Sequence, residues 1–258
     1  MFRFPARIIM SLLGITFLAI NTPGAAFNAA ASDKQSDSTL SVEQKAEINQ
    51  MIRDYILEQP EILTEAFQIL QNRRNKAMLT KHHTRLYDDG FSFVGGNKSG
   101  DVTVIEFFDY NCGVCKRALS VVEKLKKQDS NLRVIYKEFP ILSESSYIAS
   151  KAAMASINQG KYPEFHAALM KNPGKLTEKR IFEIARSVGI DEQLLAKDMT
   201  SPKLERNIQV NHSLAQALNI TGTPGYIVGD IVFTGGLPYG ELVRIIERTR
   251  RFAGKGTN

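Results

Sequence analysis

The spacing of apolar positions divides this chain into segments of different character. Ile48, Met51, Ile52, Tyr55 and Ile56 recur at helical spacing. Ser41 and Gln44 ahead of them fit a capping box, with Ser at N-cap and Gln at N3. Pro60 breaks the run, because its ring opposes continuation of the preceding helix. A second stripe follows in Ile62, Leu63, Ala66, Phe67, Ile69 and Leu70, and it dissolves into the mostly polar QNRRNKAMLTKHHTRLYDD. From Gly95 onward the period changes. GDVTVIEFF is a nearly continuous β-branched and aromatic run, as expected of a strand covered on both faces. Beyond it, Cys115, Ala118, Leu119, Val122 and Leu125 share one helical face, and LRVIYKEF, ended by Pro140, is a second strand. Together they predict a β-α-β unit with parallel strands and a right-handed crossover.

Residues 143–219 read as helical. Ser146–Ile157 is alanine-rich. Ile181, Ile184, Ala185 and Val188 form a stripe closed by Gly189 as a C′ glycine, and Asp191 can cap the next helix. Leu204, Ile208, Ala215 and Leu218 give another helix. After Gly222, GYIVGDIVFTGG predicts a hairpin turning at Gly229-Asp230, and Leu242, Ile245 and Ile246 mark a last helix. The expected fold is therefore α/β: a β-α-β unit, a helical block, then β-β-α.

The ends of the pattern bear on compartment and assembly. Arg3 and Arg7 precede an apolar run from Ile8 to Ile20, and Ala29 and Ala31 form an A-x-A pattern. This predicts a signal peptide over 1–31, cleaved near Ala26–Ala31. An uncleaved anchor is the other reading, but the run is shorter than the roughly 20 residues a span needs. Residues 32–40 are polar and expected to be disordered. The two short amphipathic helices of 41–80 cannot bury their stripes alone. They pack either on a second copy or back on their own domain, and the polar connector at 81–94 favours the copy. The main domain is expected over 95–258.

The composition is that of a globular protein, 43% hydrophobic and 23% charged with a formal net charge of +6. The basic residues form no stripe interleaved with aromatics, so no nucleic-acid partner is expected.

The chemistry centres on Cys112 and Cys115, the only cysteines. As a staple, a C-x-x-C loop is too short to restrain much unfolded chain. Zinc needs four ligands, or three plus water, and His82, His83, His166 and His212 show no ligand spacing beside the pair. No metal is therefore expected. A redox pair fits better. Cys112 falls where a strand gives way to a helix, and there unpaired N–H groups and the helix dipole favour a thiolate. Cys115, one turn on, is expected to be the more buried thiol. An exposed, acidified thiol beside a buried one is what thiol–disulfide exchange requires. Glu106 is the odd residue in VTVIEFF. It either faces solvent at a sheet edge or is a buried proton acceptor for Cys115. Pro224, in ITGTPGYIV, stands at the start of a strand, where proline is tolerated.

These features together resemble the DsbA-like exported thiol oxidoreductases of thioredoxin-like fold. EFFDYNCGVC is similar to that family's lead-in to its active site, including the acid six residues before the first cysteine; KEFPIL and TGTP are also similar. The resemblance implies that Cys112 is the nucleophile, Cys115 the resolving cysteine and Glu106 the buried acid. It also implies that Pro224 is a cis-proline beside them and that Thr223-Pro224 binds substrate backbone. Gly113-Val114, the redox-tuning dipeptide, departs from the Pro-His of strongly oxidising members, which implies a weaker oxidant. RDYILEQPEIL within 41–80 resembles the N-terminal stalk of the oligomeric ScsC-like branch. That implies a homodimer or homotrimer.

The function implied is a periplasmic enzyme that forms or isomerises disulfides in exported proteins. It would need no cofactor and would work with a membrane redox partner of the DsbB or DsbD type. A dedicated monomeric-type oxidase is the alternative within the class, and a non-redox holdase the alternative outside it.

Overall fold

The computed structural model describes residues 40–253. The signal peptide read at 1–31 and nearly all of the polar segment read at 32–40 lie outside the described residues. The chain divides into two compact units between Tyr55 and Ile56. Helix α1 (Val42–Glu58) crosses that boundary and is described by itself. It opens with the expected capping box: the Gln44 N–H donates to Ser41 Oγ (3.2 Å), and the Ser41 N–H donates to Gln44 Oε1 (2.9 Å). Its Met51, Ile52 and Tyr55 are exposed.

In the second unit, α2 (Glu61–Lys81) leaves Leu63, Phe67, Ile69 and Leu70 exposed but buries Asn75 and Leu79 near its end. The span read as a polar connector, 81–94, is structured. It holds α3 (His83–Tyr87), with Leu86 fully buried, and the first residues of β1 (Phe93–Gly96), so the sheet starts two residues ahead of the expected domain boundary. The reason is a buried ion pair. Lys137 Nζ lies 2.6 Å from Asp89 Oδ2 and donates to the Arg85 carbonyl at 2.8 Å. Burial alone would raise Asp89, but the Lys137 charge and hydrogen bond, with the Ser92 and Phe91 amides, hold it at about 2. Stranding either partner would cost about 3–5 kcal/mol.

The sheet runs β1-β3-β2-β4-β5. Strand β2 (Val102–Phe108) pairs parallel with β3 (Leu132–Glu138) and antiparallel with β4 (Gly225–Val228). Strand β1 closes one edge against β3, and β5 (Ile231–Thr234) closes the other against β4. The hairpin turns at Gly229-Asp230, with Val228 opposite Ile231, as its sequence predicts. Central β2 is covered on both sides. Val104 and Phe108 point into a core with Cys115, Leu119 and Val122 of α4 (Gly113–Gln128) and with Leu242 and Ile246 of α10 (Tyr239–Ala253). Ile105 and Phe107 point the other way, against Leu79, Leu86, Leu214 and Leu218.

Between β3 and β4 lies the expected helical block: α5 (Glu144–Ala155), α6 (Tyr162–Lys171), α7 (Glu178–Ser187), α8 (Glu192–Met199) and α9 (Pro202–Ala217). Gly189 follows α7 with φ +77°, and Asp191 Oδ1 caps α8 by accepting the Leu194 N–H at 2.9 Å.

Candidate active site

The site forms where β2 ends and α4 begins. Cys112 is the N-cap of α4, and its Sγ accepts the Cys115 N–H at 3.4 Å. The sulfur therefore occupies the place a serine or aspartate oxygen takes at other helix starts. It also lies 3.2 Å from the Thr223 carbonyl oxygen. Both thiols are free. The contrast in exposure is smaller than the sequence predicts: Cys112 is 7% exposed and Cys115 1%. The Thr223 loop, 111 residues further along the chain, covers Cys112.

Electrostatics separates the two thiols more than exposure does. A hydrogen bond from the Cys115 thiol lowers Cys112 most. Burial opposes it, Thr223 and the Cys115 and Val114 amides assist, and Cys112 settles at about 5. Cys115 moves the other way. Its hydrogen bond to Cys112, then burial, push it far above the usual thiol range. The pair thus shares one proton, held on Cys115.

Glu106 is not at an edge. It lies on central β2, opposite Tyr136 of β3 and Tyr226 of β4, on the same face as Val104 and Phe108. It is 4% exposed, and the Tyr226 hydroxyl donates to its Oε1 at 2.8 Å. Burial raises it to about 7. Tyr226 and Lys126 pull it down, while the charges of Glu123 and Cys112 push it up. Glu106 in turn raises Cys115, so the acid and both sulfurs feel one another. The Thr223-Pro224 peptide bond is cis. Gly113 is exposed and Val114 half-buried in the first turn of α4.

The structure therefore brings together Cys112, Gly113, Val114, Cys115, Glu106, Thr223 and Pro224 from three separate parts of the sequence. Residues 103–247 match the DSBA-like thioredoxin domain family. The chain belongs to that family. This DSBA-like domain is preceded by residues 44–77, which match the copper resistance protein ScsC N-terminal domain. Among solved structures, a thioredoxin-like oxidoreductase from Silicibacter pomeroyi is 43% identical, with TM-score 0.64, over 65% of this chain and 97% of that one. A linker-deletion mutant of Proteus mirabilis ScsC is 29% identical, with TM-score 0.70, over 84% of this chain and 99% of that one. The curated relatives it matches include a sodium/proton antiporter of Salinispora arenicola, 26% identical over 137 residues; the chain spans about a fifth of that protein's length. Among the described residues no helix is long and apolar enough to cross a membrane.

Several residues escape the sequence reading. Asp109, fully buried, accepts the amides of Asn111 (2.7 Å), Ile141 (2.9 Å) and Leu142 (3.0 Å) and the Ser146 hydroxyl (2.7 Å). The Asn111 amide group donates to the hydroxyls of Ser143, Ser145 and Ser146, and its Oδ1 accepts the Leu176 N–H. Lys116 Nζ donates to the carbonyls of Asn172 and Gly174. These three side chains fasten the cysteine turn to the helical block. Glu138 is a second buried acid, raised to about 8 by burial against the hydrogen bonds that the Tyr162 (2.8 Å) and Tyr110 (3.1 Å) hydroxyls donate to its Oε1. His166 sits beside Tyr110, its Nδ1 3.1 Å from the hydroxyl, and burial holds it neutral at about 3. Only the alternation within VTVIEFF and IYKEF, which places both acids on the α4 face, signals this polar layer.

Proposed function

We propose that this chain is an exported enzyme that forms and isomerises disulfide bonds in periplasmic proteins, acting as a homo-oligomer joined through residues 41–80. The observation that carries the reading is the division of labour in the pair. Cys112 is a thiolate at neutral pH, and Cys115 keeps its proton. In the isomerising direction, the Cys112 thiolate attacks one sulfur of a misplaced disulfide. A mixed disulfide forms and the client's other sulfur leaves as a thiolate. Another client thiolate then attacks the client sulfur of the mixed disulfide, forming a new client disulfide and expelling the Cys112 thiolate, or Cys115 loses its proton to Glu106 and attacks the Cys112 sulfur, expelling the client thiolate. The second route releases reduced client and leaves Cys112–Cys115 oxidised. In the oxidising direction these steps run backwards. A membrane partner of the DsbB or DsbD type would reset the pair.

Thr223 and Pro224 are proposed to hold client backbone beside Cys112. Gly113-Val114, lacking a histidine, and the stalk support isomerisation. Ion transport, for which the curated relatives are named, is not part of the proposal, because the chain spans only about a fifth of such a relative's length. Refolding of scrambled ribonuclease tests the proposal. Full-length protein should recover ribonuclease activity faster than a monomeric oxidase control, and parity with that control removes the isomerase reading.

A second reading, a dedicated oxidase, is favoured by one observation. A Cys112 held near 5 stabilises the reduced form, which makes a disulfide more oxidising. Thiol trapping in cells separates the two, since a mostly oxidised pair means oxidase duty and a mostly reduced pair isomerase duty.

Assembly has its own prediction. Phe67, 70% exposed on α2, belongs to the apolar stripe proposed to join the copies. Phe67→Glu should lower the mass in light scattering to that of a monomer. A truncated protein starting at Gln71, which keeps Asn75 and Leu79 in the core, should do the same. An unchanged mass in both rules out the arm as the interface.

A further inference from the structure

The loop after β5 touches both halves of the site. The Gly235 N–H donates to the Pro224 carbonyl at 2.7 Å, and its φ of +106° is one that residues with side chains rarely adopt. Gly236, next along, lies against Val114 of the CGVC turn. A Cβ built on Gly236 would stand 2.9 Å from Val114 Cγ1, well inside the about 3.5–4.0 Å of a comfortable carbon contact. No such crowding exists on the other side of the turn, where a Cβ on Gly113 would meet only the tip of Arg117 at 3.7 Å. Val114 is β-branched, with one strongly preferred rotamer in a helix, and it packs against the core that includes Cys115 and Leu119. It therefore has little room to yield without its backbone moving. That backbone matters, because the amides of Val114 and Cys115 both face the Cys112 sulfur.

We propose that Gly236 is a positioning residue for the Cys112 thiolate: the space it leaves lets Val114 seat the turn whose amides face the sulfur, while Gly235 ties the same loop to the Pro224 carbonyl. The loop thereby holds the CGVC turn and the Thr223-Pro224 loop at one separation. It carries no titrating group. The groups that share charge with Cys112 are Cys115 on α4 and Glu106 on β2, and neither is the residue changed. A shift of Cys112 in a Gly236 variant therefore reports the geometry of the turn.

The inference rests on reading Cys112 as the acidified thiol, and the experiment separates the two. Alkylation of the reduced full-length protein by iodoacetamide is followed from pH 3.5 to 9. Wild type should titrate near the acid end of that range; a midpoint near the ordinary thiol value of about 8.5 would remove the underlying reading itself. In Gly236→Ala, Val114 and its amide are pushed off the sulfur. The midpoint should rise by about one pH unit, making alkylation at pH 5 roughly five-fold slower. Val114→Ala in the same protein removes the methyl that the new Cβ meets, and should return the midpoint to within about 0.3 unit of Val114→Ala alone. A merely structural loss of packing would lower the melting temperature of both Gly236 variants without this rescue. The proposal is overturned if Gly236→Ala titrates as wild type does, or if the double variant stays shifted.

Discussion

Cys112→Ser is expected to abolish disulfide exchange, with rates falling on the order of 10³-fold or more to the uncatalysed background. Serine can still cap α4, because its oxygen accepts the Cys115 N–H as well as sulfur does. The fold and melting temperature should therefore survive, and the loss would belong to chemistry. Cys115→Ser should behave differently. The Cys112 thiolate still captures clients, but no resolving thiol remains, so Cys112–client mixed disulfides accumulate. A non-reducing gel should show them as high-mass bands that dithiothreitol removes. Trapped clients in Cys112→Ser, or none in Cys115→Ser, would reverse the assignment of roles. A protein that retains its activity after Cys112→Ser would be a binding protein whose redox pair is incidental.

The second large effect is expected at Glu106. Cys115 cannot attack a mixed disulfide until it loses its proton, and it lies in apolar surroundings where water is a poor acceptor. Glu106 titrates near neutrality and is coupled to that thiol, so it is matched to the task. Glu106→Gln preserves the acceptor for the Tyr226 hydroxyl but cannot take a proton. Resolution of the mixed disulfide should slow about 10²-fold, while capture by Cys112 changes little. Rapid quenching separates the steps, and equal resolution rates in the two proteins would remove Glu106 from proton transfer.

The same substitution has a thermodynamic signature of definite sign. The folded Glu106 is raised to about 7, above the ordinary 4.5 of the unfolded chain. Its contribution to stability is therefore complete below about 4.5 and is lost as pH rises through about 7. Glutamine does not titrate. From pH 4 to pH 8 the difference in unfolding free energy should move in favour of Glu106→Gln, by about 3 kcal/mol. The Cys112 titration runs in the opposite sense and, being common to both proteins, largely cancels. Urea denaturation of the reduced proteins at several pH values measures it, and a constant difference contradicts a raised Glu106.

The order of elements was legible because buried strands and amphipathic helices carry different periods. The nearly continuous apolar run of GDVTVIEFF as a strand, the stripe from Cys115 to Leu125 as a helix and Gly229-Asp230 as a hairpin turn each follow from one local signal. What stayed hidden were polar groups that fold inward. Lys137 and Asp89 read as surface charges along the sequence. Only their pairing across 48 residues lets the supposed connector pack, so α3 and β1 carry no local signal. Glu106 was ambiguous between edge and core, because strand order depends on β4, which lies more than a hundred residues away. Asp109 and Asn111 sit in plain view inside FFDYNC, yet their partners come from loops of the helical block. No spacing rule points to them.

Those two residues, with Lys116, also set where this molecule can diversify. Their grips fall on residues 141–146, on Leu176, and on the carbonyls of Asn172 and Gly174. Apart from Arg180 of α7, whose Nε donates to Asn172 Oδ1, the outward faces of α7 and α8 make no hydrogen bond to those loops among the described residues. A lineage could rework those faces for new clients while the sulfur chemistry stays constant. Changes in the gripped loops would be transmitted to the thiolate, so they are the positions where drift in partner choice and drift in redox tuning become inseparable.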